Sequence, residues 1–182
     1  MSTIAIVVLI LIIVAVAALL FFMWRQERSK KLRRQFGPEY EQAVREYGTR
    51  DKAEQSLVMR QKRMEKIHIQ PLSAPERDRF THEWQRTQAM FVDDPAGSIH
   101  QADHLVCDAM RARGYPMTDF DRRTEDLSVD HPQVVKNYRA AHDIAERSSR
   151  NEASTEDLRL AMVYYRDLFD ELLETHITGP RR

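Results

Sequence analysis

The longest feature in the hydrophobic pattern is a run with no polar face at all. From Ile4 to Trp24 the chain carries no Asp, Glu, Lys or Arg and no amphipathic alternation. Twenty-one helical residues at about 1.5 Å each span about 31 Å, the hydrocarbon thickness of a bilayer. Trp24 closes the run at the depth where indole rings favour the interface. A cleaved leader would start with basic residues, hold a shorter apolar stretch and end on small residues. This run has no Lys or Arg ahead of it and ends in Leu19, Leu20, Phe21, Phe22, Met23 and Trp24, so it predicts an uncleaved anchor.

Beyond it the pattern becomes helical and amphipathic. Gly37-Pro38 breaks the first helix, and Tyr40, Ala43, Val44 and Tyr47 stripe the next, which Gly48 ends. A helix over about 50–66 follows, with Ala53, Leu57, Met64 and Ile67 on one side. Residues 67–72 read as an extended connector. Ser73 and Glu76 make a capping box for a helix whose face holds Phe80, Trp84, Thr87 and Phe91. Asp94-Pro95 starts another, with Ile99, Ala102, Val106, Ala109 and Met110 inside. Gly114 suits a left-handed stop. Residues 115–129 are expected to be irregular, with one turn of helix around 122–127. Asp130-His131-Pro132 restarts the chain, Arg147 to Asn151 reads as a loop, and Ser154 caps a last helix ending before a frayed tail at 175–182.

These elements predict an all-α protein: one N-terminal transmembrane helix followed by a helical bundle-like domain of about five helices. The divisions are an anchor over 1–24, a basic juxtamembrane segment over 25–36 and a soluble domain over 37–174. Residues 37–70 are readable as a semi-independent stalk. Composition agrees, with only 5 glycines and 7 prolines in 182 residues and an abundance of good helix formers.

Charge adds a direction. The net charge is zero, but Arg25, Arg28, Lys30, Lys31, Arg33 and Arg34 face only Glu27 in the segment after Trp24. All bases near the run lie on its C-terminal side, so the N-terminus is expected outside and the domain in the cytoplasm at the cell membrane. Trp24 and those six bases form the expected membrane interface, and the lipid bilayer is the first expected partner. The rest of the chain is mildly acidic, which argues against nucleic acid as a partner.

The search for chemistry finds little. His100 and His104 are four apart on one predicted helix and could share a metal, but Gln101 stands where a metzincin-type motif needs Glu. A third ligand would come from Asp94, Asp108 or His131. Asp119, Asp121, Glu125, Asp126 and Asp130 crowd the 115–131 stretch without an EF-hand pattern. Cys107, the single cysteine, reads as a core residue. No phosphate-cradling glycine loop or nucleophile elbow is present. No cofactor and no catalytic residue are expected.

Four segments carry a resemblance: Phe91-Val92-Asp93-Asp94-Pro95, Arg113-Gly114-Tyr115-Pro116, Leu127-Ser128-Val129-Asp130-His131-Pro132 and Thr155-Glu156-Asp157-Leu158-Arg159. Together they resemble an uncharacterised family of bacterial single-pass membrane proteins with a helical soluble domain. The likeness runs from about Leu32 to Leu173. It implies a bacterial setting and one continuous domain, and brings no activity or site residue with it. The expected function is a membrane-anchored interaction module, an adaptor, scaffold or regulator with a protein partner of unknown identity. The alternatives are a metal-binding protein or enzyme using His100, His104 and the acidic stretch, and a domain that senses anionic lipid.

Overall fold

A computed structural model describes residues 3–173, with side chains from residue 9 onward; the 175–182 tail lies outside the described residues. Eight helices and no strand are found among them: α1 (Thr3–Phe36), α2 (Pro38–Tyr47), α3 (Arg50–Met64), α4 (Ala74–Met90), α5 (Pro95–Ala112), α6 (Phe120–Asp130), α7 (Pro132–Ser149) and α8 (Thr155–Leu173). The all-α class holds, and the count of an anchor plus about five helices is corrected.

The break at Gly37-Pro38 falls where the sequence places it, and the additional α6 has a clear physical cause. The basic segment is the continuation of α1, which runs unbroken for 34 residues, about 51 Å at helical rise. It stops only at Gly37, whose φ of +47° a side chain would resist. The stretch expected to be irregular holds α6. Asp119 caps it by accepting from the Arg122 N–H at 2.9 Å, and Thr124, Leu127 and Ser128 bury one face. The carboxylates that hide this stripe in the sequence are neutralised by arginines of α3. α7 also reaches Ser149, about one turn beyond Ala145 and into the stretch expected to be a loop, before Asn151 turns the backbone at φ +58°.

α7 and α8 form an antiparallel pair, α5 lies across both, and α4 covers α5. Trp84 stacks on Phe169 with ring centroids 4.7 Å apart, and Phe80 meets the same ring edge-on at 6.5 Å. Tyr138 and Tyr165 meet edge to face at 6.2 Å deep in the core. The capping box forms, with the Glu76 carboxylate taking both the N–H and the hydroxyl of Ser73. Gly114 sits at φ +90°, and a Cβ there would lie 2.7 Å from the His68 carbonyl oxygen. The 67–72 connector runs against this corner, and the Gln70 N–H bonds the Arg113 carbonyl at 2.9 Å.

α2 and α3 pack on each other and then on α7 and α6. That junction is rich in charge. Arg139 donates to buried Glu39 at 2.6 Å. Arg60 and Arg63 pair with Glu125 at 3.2 and 3.1 Å, and Arg63 also pairs with buried Asp126 at 2.6 Å.

Candidate functional site

α1 is long and apolar enough to cross a membrane, with a mean hydropathy of 2.3 over its best window. Every side chain from Leu9 to Trp24 is exposed, so the domain covers none of this apolar surface. From residue 25 onward the same helix acquires two different sides. Leu32 and Phe36, 4% and 0% exposed, insert between α2, α3, α6 and α7. Ser29 donates to buried Glu54, which also accepts the Tyr40 hydroxyl at 2.8 Å, so one carboxylate ties α1, α2 and α3 together. Gln61 of α3 donates to Gln35.

The cations of the expected interface divide between these sides. Arg25 pairs with Asp51 at the start of α3, Arg33 with Glu41 of α2, and Lys30 with Glu27 at 3.3 Å. The Arg28 guanidinium lies over the Trp24 ring, 5.8 Å from its centroid. Lys31 and Arg34 are exposed. Trp24, Arg28, Lys31 and Arg34 line one open groove together with Glu27, Lys30 and Gln35.

His100 and His104 are exposed on the outer face of α5, and no group of three His, Cys, Asp or Glu among the described residues could hold a metal. The third ligands considered from the sequence have other work. Asp94 accepts from the Gly97 N–H at 2.9 Å as the α5 cap, Asp108 pairs with Arg111, and His131 faces Glu171 at 3.2 Å. The acidic stretch is likewise engaged: Asp119 caps α6, Glu125 and Asp126 hold α3, and Asp130 accepts the Tyr115 hydroxyl at 3.2 Å.

A second polar cluster was not foreseen. Asp103 of α5 accepts the Tyr165 hydroxyl of α8 at 3.0 Å and lies 3.7 Å from His142 Nδ1 of α7. Phe120 of α6 stacks on the His142 ring at 3.7 Å, nearly parallel. Burial by itself would raise the Asp103 carboxyl, but His142 and Tyr165 outweigh it and hold the group below the usual carboxylate range. Burial pushes the Cys107 thiol up, and Asp103 beside it adds to that. A thiol kept protonated is a poor nucleophile. His142 makes no hydrogen bond to a nucleophile among the described residues: its Nδ1 faces the Asp103 carboxylate and its Nε2 faces Glu146 at 3.6 Å. The cluster therefore joins three helices through polar contacts and has no group poised for transfer chemistry. Only the i, i+4 spacing of Asp103 with Cys107, and of Tyr138 with His142, marks it in the sequence.

At the far end of the domain Arg113, 3% exposed, donates to the Leu172 carbonyl at 3.0 Å and closes the C-terminus of α8. No family model, curated protein or solved structure matches the chain, and the bacterial setting implied by the resemblance has no such match behind it.

Proposed function

We propose that this chain is a single-pass membrane protein whose helical domain serves as an interaction module, an adaptor, scaffold or regulator, held at the bilayer surface. One observation carries the reading: α1 continues past its apolar stretch without a break and ends buried in the domain at Leu32 and Phe36. A tether for an enzyme needs only a flexible linker. A helix that penetrates the core holds the domain at one height and one orientation, which matters when another molecule must be met at the membrane plane.

The exposed apolar stretch of α1 needs a cover, and a lipid bilayer of its length supplies one. The basic residues after Trp24 favour a cytoplasmic domain. Among the described residues the rest of the domain exposes large apolar side chains only singly, at Met59, Val92 and Leu160, which favours a partner recognised through polar and charged contacts. Crosslinking and retrieval of the tagged full chain from native membranes tests this, with residues 1–36 as control. A protein held by the full chain and lost by the control supports the module. If the two retrieve the same set, the interaction reading falls.

Sensing of anionic lipid is the second reading, favoured by the cations of α1 that the domain leaves unpaired.

A further inference from the structure

The partition of charge along residues 25–36 separates cations that hold the domain from cations that it leaves unpaired. Arg25 and Arg33 reach Asp51 of α3 and Glu41 of α2, whereas Lys30 pairs within α1 with Glu27 and holds nothing of the domain. Arg28, Lys31 and Arg34 form no ion pair with any described residue. They are three residues apart, so they share one ridge of α1. Trp24 stands one turn before Arg28 on the same ridge, under its guanidinium. At about 100° per residue, Lys31 and Arg34 point about 100° and 160° away from Leu32 around the helix and are exposed, while Arg28 lies about 40° from it and is half-buried.

Depth along the helix decides what this ridge can touch. With Trp24 at the interface, Arg28 stands about 6 Å above it, Lys31 about 10 Å and Arg34 about 15 Å. The headgroup layer is about 5–8 Å thick on each side. Arg28 therefore sits among headgroup phosphates, and Lys31 reaches them by bending its long side chain back along the helix. Arg34 acts only through the screened field, whose range is about 8 Å at physiological salt. A guanidinium can bind a phosphate through two parallel hydrogen bonds.

We infer that the ridge formed by Trp24, Arg28, Lys31 and Arg34 binds anionic phospholipid headgroups in the leaflet from which α1 emerges. The inference rests on the anchor reading above. Its effect is graded along the helix, largest for Arg28 and smallest for Arg34. An acidic protein segment on the same ridge would depend on Arg34 as much as on Arg28.

The test uses the full chain with Trp84→Phe, which leaves Trp24 as the sole tryptophan. The protein is reconstituted in phosphatidylcholine vesicles containing a little dansyl-labelled lipid, either phosphatidylcholine or phosphatidylglycerol. Energy transfer from Trp24 to the anionic probe should exceed transfer to the neutral one about threefold, given about 1 kcal/mol per basic residue near the surface and its dilution over neighbouring lipids. The preference should vanish in the Arg28→Gln, Lys31→Gln, Arg34→Gln variant and persist in the Arg25→Gln, Arg33→Gln variant. Inorganic phosphate at constant ionic strength should not compete. Equal transfer to both probes, or equal loss in both variants, overturns the inference. Alkaline carbonate washing of the same vesicles separates the two claims. A chain that washes off removes the anchor reading and the ridge with it, whereas a chain that stays but shows no preference removes the ridge alone.

Discussion

Tyr165 and Asp103, on α8 and α5, are joined by a hydrogen bond of 3.0 Å between residues 62 apart in the chain. Tyr165 is fully buried and Asp103 half-buried, so the bond ties two core helices across the interior. Tyr165→Phe keeps the ring packing and removes the donor. It should destabilise the chain by about 1–3 kcal/mol, the cost of leaving a half-buried acceptor short of a partner. Denaturant unfolding in detergent measures it. A change within about 0.5 kcal/mol, as at ordinary surface positions, would mean that His142 or water takes over.

Phe36 is the point at which α1 is locked into the domain. Phe36→Ala should cost about 3–5 kcal/mol. It should also loosen the domain relative to the anchor, seen as increased mobility of a spin label on α3 beside a label on α1. Unchanged mobility would mean that Glu54 and its two hydroxyl donors hold the junction without the ring.

The pH dependence has two separate windows. Burial disfavours the His131 imidazolium more than Glu171 beside it favours it, so its folded pKa lies below the ordinary 6.5. Below 6.5 the unfolded chain takes up a proton that the folded chain resists, and stability falls as pH drops toward the folded value. Arg113, which also faces His131, acts in the same direction, while Asp130 opposes it. Asp103 is shifted in the same direction, below its ordinary value, so its window lies lower on the pH scale. Its contribution stands above the ordinary 3.8 and is lost as pH falls through and below that value. Unfolding midpoints followed with pH should show both losses, and His131→Gln should flatten only the upper one. A profile unchanged by that substitution assigns the upper loss elsewhere.

Ion pairs should differ by burial. Arg60, 2% exposed, holds Glu125 across the junction of α3 with α6. Arg60→Ala removes a buried charge-assisted hydrogen bond, with Arg63 and Arg122 still beside Glu125, and should cost about 1.5–3 kcal/mol. Arg25→Ala breaks an exposed pair with Asp51 and should cost at most about 1 kcal/mol. Equal losses in unfolding experiments would show that the buried network is better hydrated than its geometry indicates.

These contrasts explain which features the sequence discloses. The apolar run, the Ser73 and Asp94 caps, the Gly114 stop and the stripes of α5 and α8 are local patterns, readable within a few turns. α6 is different: its buried Asp126 is tolerable only because Arg63, 63 positions earlier, folds back onto it. Locally that segment looks too charged to bury. The Asp103, His142 and Tyr165 cluster also spans three helices, so no window along the chain contains it. The six bases after Trp24 read as one collar in the sequence. Their division follows from where Asp51 and Glu41 come to rest, which is a property of the packed α2–α3 pair.

The unbroken course of α1 also couples two quantities that are independent in a tethered protein. Adding or deleting one residue between the apolar stretch of α1 and Leu32 would move the domain by about 1.5 Å relative to that stretch and turn it by about 100° around the helix axis. In the membrane-spanning arrangement proposed above, the length of α1 thus sets the compass bearing of the domain within the membrane plane. Any change in that length must be compensated in the same helix, or the face turned toward a neighbour becomes a different face.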